Sequence, residues 1–133
     1  MESICICHSF EFIPIDKQPQ DFVAALSPEH HAMLLAACAG VAAGFVDGRP
    51  HGSRTVLLGS ATLPGLFLLR AVWPGAPEPQ LRMICLRDGP RVLVARGFIQ
   101  DGDRVPADEV ALAEQAILRA QELGRERAAE KAR

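Results

Sequence analysis

Three strand-length apolar segments, each separated from the next by a turn, constrain the fold of this chain more than any other feature. The segments cover residues 66–73, 81–87 and 91–100 and are rich in leucine, isoleucine, valine and phenylalanine. Pro74-Gly75 follows the first segment and Asp88-Gly89 follows the second, and both dipeptides favour turns. Because short connections join strands that run in opposite directions, the sequence predicts a three-stranded antiparallel meander.

The residues before the meander predict one strand and two helices. Residues 3–15 alternate between apolar and polar side chains, as expected of a first strand, and a short helix is expected over 19–26. Ser27-Pro28-Glu29 supplies a cap, a first-turn proline and a first-turn acid, so a second helix should run from there to Gly44. This second helix is apolar on nearly every side, which predicts that it is either deeply packed or covered by a partner.

The remaining segments complete an α+β pattern in a single domain. Residues 45–63 contain many glycine and polar residues and are expected to be mostly loop, and Pro106 begins a last helix. We expect one compact domain over 1–124, followed by a charged tail over 125–133 that frays or is ordered by a partner. The expected sheet is antiparallel, with the helices on one face and the other face open.

Charge is distributed unevenly along the 133 residues, although the formal net charge is only −2. Residues 1–48 carry six acids and one lysine, a net of −5, whereas residues 49–104 carry eight arginines and four acids, a net of +4. The planar guanidinium suits phosphates and stacked bases, so the basic stretch indicates a polyanionic partner. The alternative is that these arginines are simply solvated residues at strand ends.

Each strand of the predicted meander carries one arginine among apolar neighbours: Arg70, Arg82 and Arg96. Strict alternation would place Arg96 on the same face as Val92 and Val94. A charge in such a setting must pair with a carboxylate of the chain or of a partner, reach the rim, or face a polar site. The functional alternative is a cleft for phosphate on the open face of the sheet, which would suit RNA.

A loop before the meander contains further candidate RNA contacts, namely Arg49, His51 and Arg54, and Arg91 begins the third strand. Cleavage of RNA by its own 2′-hydroxyl needs a group that accepts the proton, and arginine is a poor base at neutral pH. His51 is the best placed of the histidines for this role, although a histidine in a loop is more often merely exposed.

Several classes of function lack support in the sequence. The four cysteines are scattered, with no CxxC pair and no zinc-finger histidine spacing, so we expect free thiols in a reducing cytoplasm and no metal; His8 beside Cys5 and Cys7 leaves a weak metal alternative. The chain has no P-loop, GxGxxG or HExxH motif and no expected cofactor. The longest uncharged apolar run, 32–46, is short for a membrane span, and no signal sequence opens the chain, so a cytosolic protein is expected.

The second half of the chain resembles the phage-derived HigB-like branch of the RelE/HigB superfamily of toxins. The resemblance rests on residues 66–70, 81–85, 88–99 and 106–113, which occur in the order and at the spacing of that branch. It covers roughly residues 56–117, and the first half of the chain agrees in layout alone.

The resemblance implies a compact RelE-like fold and the toxin of a type II toxin-antitoxin system. Such a toxin is a metal-independent endoribonuclease, or mRNA interferase, that cleaves mRNA on the ribosome and is neutralised by a helix-turn-helix antitoxin. By position, Arg70 and Arg82 match basic strand residues of the family, and Arg104 matches a basic residue before the closing proline. Arg70, Arg82 and Arg96 form the expected catalytic set, and Arg104 joins the expected RNA-binding residues Arg49, His51, Arg54 and Arg91.

This chain departs from the family pattern at four positions. Leu69 replaces a usual glutamate, Arg96 stands where histidine is common, and Gln100-Asp101 replaces a pair of lysines. The departures leave two alternatives beside the active toxin. One is a degenerate, non-cleaving member that binds an antitoxin or RNA, and the other is an unrelated regulatory or structural α+β protein.

Overall fold

The protein is mixed α+β, with three helices and a six-stranded sheet in the part of the chain that the structure describes. The computed structural model describes residues 2–47, 55–71, 80–100, 102 and 104–132. In chain order the elements are β1 (Cys5–Cys7), β2 (Phe10–Pro14), α1 (Lys17–Ala24), α2 (Pro28–Asp47), β3 (Thr55–Leu57), β4 (Phe67–Ala71), β5 (Gln80–Asp88), β6 (Arg91–Gln100) and α3 (Ala107–Lys131).

The predicted meander is confirmed, since β4 pairs with β5 and β5 with β6, both antiparallel. The expectation of a wholly antiparallel sheet is wrong, because β2 lies beside β6 and runs parallel to it in the order β1-β2-β6-β5-β4-β3. The chain leaves β2 through α1 and α2 before it enters the other strands, and a helical crossover of this kind is what parallel neighbours require.

Two short strands at the edges of the sheet were not predicted. The single strand expected over 3–15 is a hairpin of β1 and β2, whose turn residues His8 and Ser9 have φ angles of 50° and 68°. Positive φ at both central residues is the geometry of a tight hairpin turn, and neither residue is the asparagine or glycine that signals it. The segment expected to be mostly loop contributes β3, which pairs antiparallel with β4.

The larger hydrophobic core lies between the sheet and α2. Leu34, Cys38 and Val41 of α2 are buried there, together with Phe12 and Met83 of the sheet. The structure shows that one face of this apolar helix packs against the sheet, and cover of its other face by a partner stays a prediction. By length and composition, Pro28–Val46 could also cross a membrane, and 33% of this stretch is buried within the protein.

Gly97 of β6 lets α1 pack closely on the same face of the sheet. A Cβ atom at this position would overlap the ring of Phe22. The side chain of Gln18 pairs with the Gly97 backbone: Nε2 donates to the carbonyl at 2.7 Å, and Oε1 accepts from the N–H at 2.9 Å. Gln18 thereby makes the two backbone hydrogen bonds at Gly97 that a neighbouring strand would make, because β2 has already ended at Pro14.

The opposite face of the sheet is covered by α3, so the expectation of helices on one face and an open second face is wrong. Ala113, Ala116 and Ile117 of α3 are buried against Leu68 and Ile84 of the sheet. Residues 122–132 are exposed, yet the helix continues through Lys131. Residues 125–131 of the segment expected as a charged tail therefore form the outer end of α3.

Candidate functional site

The structure brings Arg70 and Arg82 together as directly opposite residues of β4 and β5. Arg82 lies in turn opposite Phe98 of β6, so the three side chains form a row on the α3 face of the sheet. Arg70 is partly exposed, whereas Arg82 is 0% exposed. The two arginines therefore share a place in the sheet but differ in their access to a ligand.

Arg82 is held by oxygen atoms of its own chain. Its Nη1 donates to Gln100 Oε1 at 3.4 Å and to the Arg104 carbonyl at 3.3 Å, and its Nη2 donates to Gln80 Oε1 at 3.1 Å and to the Gly102 carbonyl. A buried charge needs such partners, because burial without them costs several kcal/mol. The guanidinium thus cross-links β5 to the segment between β6 and α3.

This cross-link fixes the segment that carries Arg104. The backbone carbonyl of Arg104 accepts from Arg82, while the residue as a whole is exposed. Arg70 and Arg82 lie at the end of the sheet where β6 finishes. The helix α3 begins only at Ala107, so these two residues lie beyond its N-terminal end. We call the group formed by Arg70, Arg82, Gln100 and Arg104 the arginine cluster.

Arg96 does not belong to the arginine cluster, because it forms a bidentate ion pair with Glu109 of α3. Its Nε donates to Oε2 at 2.7 Å and its Nη2 to Oε1 at 3.1 Å, and the two side chains are 20% and 19% exposed. The hydrogen bonds to Glu109 raise the pKa of Arg96, while burial opposes that shift. Parallel bonds of this kind are strong and fix orientation, so Arg96 fastens α3 to the sheet.

The face on which Arg96 lies differs from the sequence-based prediction. A β-bulge interrupts the pairing of β5 with β6, so that Ile84 lies opposite Arg96 while Cys85 lies opposite Val94. One extra residue, Ala95, shifts the alternation, and Arg96 therefore points to α3 whereas Val92 and Val94 pack towards α2. The expectation that Arg96 shares a face with these valines is wrong.

The other candidate RNA contacts are separate from the arginine cluster or lie outside the described residues. Arg91 is the first residue of β6 and Gln100 is the last, so Arg91 lies at the end of the strand away from the arginine cluster. Its exposed side chain is 3.5 Å from Asp88. Arg49, His51 and Arg54 fall outside the described part of the chain. The structure therefore bears on Arg70, Arg82, Arg91, Arg96 and Arg104 and leaves the loop residues as predictions.

None of the described histidines lies in the arginine cluster. His8 is in the turn between β1 and β2, and His30 and His31 begin α2 on the other face of the sheet. Among the described residues, no group of three or more histidine, cysteine, aspartate or glutamate side chains is arranged to hold a metal ion. The arginine cluster contains guanidinium groups, a type of group suited to phosphate, and none of its four side chains accepts a proton readily at neutral pH.

Sequence reasoning missed the polar residues that hold the arginines in place. The partners are Gln80 at the start of β5, Gln100 at the end of β6 and Glu109 in the first turn of α3, and none of them was predicted from the sequence to pair with an arginine. The alternation of β5 could have placed Gln80 beside Arg82, since the two are two residues apart in one strand. The ion pair of Glu109 with Arg96 depends on the position of α3 against the sheet, and no local sequence pattern predicts that position.

The four cysteines come together on the α2 face. Cys7 Sγ donates to Cys5 Sγ at 3.7 Å, and Cys38 and Cys85 are buried in the same core. The hydrogen bond with Cys38 lowers the pKa of Cys5, whereas burial raises the pKa of Cys7 to about 11. The pKa of Cys38 is raised, first by its hydrogen bond with Cys5 and then by burial, and burial raises that of Cys85. Cys5 is thus the thiol most readily ionised.

No family model matches this chain, and no curated protein matches it.

Proposed function

We propose that this protein is the toxin of a type II toxin-antitoxin system and acts as a ribosome-dependent mRNA endoribonuclease of the RelE/HigB type. The observation that carries the proposal is the arginine cluster. Arg70 and Arg104 reach the surface at one end of the sheet, at the positions where the resemblance expects basic residues. The order of strand, two helices, meander and closing helix supports the same proposal, with β1 and β3 as additions at the edges.

In this proposal the arginines divide the work between binding and positioning. Arg70 and Arg104 contact the scissile phosphate and stabilise the charge that develops on it, which is the role that guanidinium groups perform well. Arg82 is a positioning residue, because it is buried and its donors hold the backbone of Gly102 and Arg104. Arg96 is structural, because Glu109 occupies its donors.

The ribosome has a chemical part in the proposed reaction. The attacking 2′-hydroxyl must lose a proton, and the described residues of the arginine cluster include no base for neutral pH. Ribosomal RNA, or His51 in the loop outside the described residues, supplies that group. Dependence on the ribosome requires cytoplasmic localisation, and a helix-turn-helix antitoxin is the expected protein partner.

The test is expression of the chain without its neighbouring genes in a bacterial host, with growth and mRNA 5′ ends measured together. The proposal predicts growth arrest and new cuts inside translated codons, both lost in Arg70→Ala and Arg104→Ala proteins that still fold. Arg87→Ala is the matched control, because Arg87 is exposed and packs on the rings of Phe10 and Phe45, away from the cluster. Normal growth with soluble protein and intact transcripts would contradict the proposal.

A second candidate is a RelE-type protein that binds an antitoxin or RNA without cleaving. The specific observation in its favour is that Arg82 and Arg96, both expected to be catalytic, bond to oxygen atoms of their own chain. This candidate predicts unimpaired growth, together with a soluble complex formed with the product of an adjacent helix-turn-helix reading frame. Co-expression followed by size-exclusion chromatography separates the two candidates.

A further inference from the structure

A groove separates the outer half of α3 from the part of the sheet where the inner strands β2 and β6 lie side by side. It has a volume of about 850 Å³ and is lined by residues of β2, β6 and α3. The groove exists because α3 is buried only at Ala113, Ala116 and Ile117 and then continues for fourteen residues past Ile117, through Lys131, away from the core. It lies at the end of β6 opposite the arginine cluster.

The floor of the groove is apolar. Ile13 and Ile15 contribute from the strand side, Leu93 from β6, and Ala120 and Leu123 from α3. Leu123 is 50% exposed, so about half of its surface is accessible from the groove side or from solvent. A surface of this kind gains free energy when an apolar side chain of another molecule covers it.

The α3 wall of the groove is basic. Arg119, Arg125 and Arg127 line it, while Glu122 and Glu126 of the same helix do not. Within the part of the chain that the structure describes, none of these three arginines forms an ion pair, in contrast to the pairs made by Arg91 and Arg96. The helix therefore directs unneutralised positive charge into the groove and negative charge away from it.

The strand wall has mixed charge, because Asp16, Asp88 and Arg91 all line it, and Asp88 is 3.5 Å from Arg91. A nucleic-acid backbone, with phosphate charge on all sides and no apolar stripe, matches the arginines but neither the floor nor these carboxylates. A helix with an apolar stripe and an acidic flank turned towards α3 matches all three features.

From this combination we infer that the groove is a docking site for an acidic amphipathic helix of a partner protein. The apolar stripe of that helix packs on Leu93, Ala120 and Leu123, and its carboxylates pair with Arg119, Arg125 and Arg127. The inference is independent of the proposed ribonuclease activity, because it concerns a different end of the sheet and needs no cleavage.

The experiment measures binding of a labelled synthetic helix to the intact chain by fluorescence polarisation. The probe has about 16 residues, enough to populate a helix, with leucine and alanine on one face and glutamate on the flank. A second peptide carries lysine in place of every glutamate, and a uridine oligonucleotide is the nucleic-acid probe. We expect saturable binding of the glutamate peptide alone, weakened by salt.

Charge-reversed variants locate the site. Arg119→Glu/Arg125→Glu should weaken binding of the glutamate peptide at least about tenfold, because it replaces two attractive contacts by repulsive ones. Arg87→Glu/Lys131→Glu changes the net charge equally at exposed residues that do not line the groove, and should leave binding within about twofold of the parent, since distant exposed charges are screened. Circular dichroism verifies that both variants are folded.

Three results would overturn the inference. The first is the absence of saturable binding of the glutamate peptide to the intact chain. The second is equal weakening by the two double variants, which would indicate attraction by net charge alone. The third is tighter binding of the oligonucleotide, lost in Arg119→Glu/Arg125→Glu, which would assign the groove to nucleic acid.

Discussion

The two faces of the sheet are built on different principles. The α2 face is filled by apolar side chains and thiols, and within the part of the chain that the structure describes the buried charged residue, Arg82, lies on the other face. The α3 face has a smaller apolar cluster and contains the buried Arg82 and the ion-paired Arg96. Apolar burial is roughly proportional to area and tolerant of direction, whereas each buried arginine needs partners at defined positions.

This difference indicates how stability and function are distributed in the molecule. The α2 face supplies most of the area removed from water, so its large side chains should dominate the free energy of unfolding. The α3 face buries less apolar area, and part of it is occupied by guanidinium groups, of which that of Arg82 holds the segment before α3. We therefore expect substitutions on the α2 face to affect the whole fold and those of the arginines to act locally.

The largest effect is expected from Phe12→Ala. Phe12 is 0% exposed in the α2-face core, and removal of a buried aromatic ring costs about 3–5 kcal/mol through lost burial and the cavity left behind. Urea unfolding monitored by circular dichroism measures the change. The exposed Ile6, on the neighbouring strand β1, provides the control, since Ile6→Ala should cost less than about 0.5 kcal/mol.

A smaller loss, about 2 kcal/mol, is expected from Arg82→Leu, because several partly buried oxygen atoms lose a donor while the new side chain is apolar. Faster hydrogen exchange should be confined to the backbone amides of Gly102, Arg104 and Val105, which belong to the segment that Arg82 holds. Met83→Leu, a volume-conserving change on the other face of the same strand, is the control. Uniformly faster exchange throughout the sheet would show that Arg82 is part of the global core and not a local clamp.

The ion pair between Arg96 and Glu109 should contribute about 1 kcal/mol, since it is bidentate and mostly shielded from water. A double-mutant cycle with Arg96→Gln and Glu109→Gln measures the coupling free energy. The coupling should fall only modestly between low salt and 0.5 M NaCl, because buried pairs are poorly screened. A coupling near zero would mean that burial of the apolar residues of α3 suffices to hold the helix.

The smallest effect concerns the cysteines, which should differ in chemical reactivity. Cys5, whose pKa is lowered by Cys38, should react with iodoacetamide at a lower pH than Cys7, whose pKa is raised to about 11. Cys38 and Cys85 should react only after unfolding, because both are buried. Mass spectrometry of the alkylated chain as a function of pH gives the order, and prior reaction of Cys7 would contradict this account of the α2 face.

The sequence predicts the pairing of neighbouring strands in the meander better than it predicts the face on which each arginine lies. Alternation and turn residues placed the meander correctly, because Asp88-Gly89 and the apolar segments act locally. Alternation failed at Ala95, where the bulge moves Arg96 to the other face, and a bulge without a glycine leaves little trace in a sequence. The pairing of β2 with β6 joins residues about 80 positions apart, and no local pattern specifies such a pairing.

The candidate site was also predictable only in part, because local patterns place residues in strands but do not specify contacts between distant segments. Arg70 and Arg82 could be placed in neighbouring strands from the sequence, but their unequal exposure depends on the segment that folds over Arg82. The groove beside α3 was missed because the alanine-rich end of the helix has no broad apolar stripe of its own. Its character arises only when the arginines of α3 and the apolar residues of β2 and β6 come together.

The central claim is that the arginine cluster binds RNA for cleavage on the ribosome. The most direct test adds the purified chain to purified ribosomes programmed with a defined mRNA and maps the 5′ end of the product. The account predicts a single cut in the codon of the A site, absent without ribosomes, lost with Arg70→Ala and retained with Arg87→Ala. An intact mRNA after incubation with folded parent protein, or a cut that Arg70→Ala leaves unchanged, would contradict it.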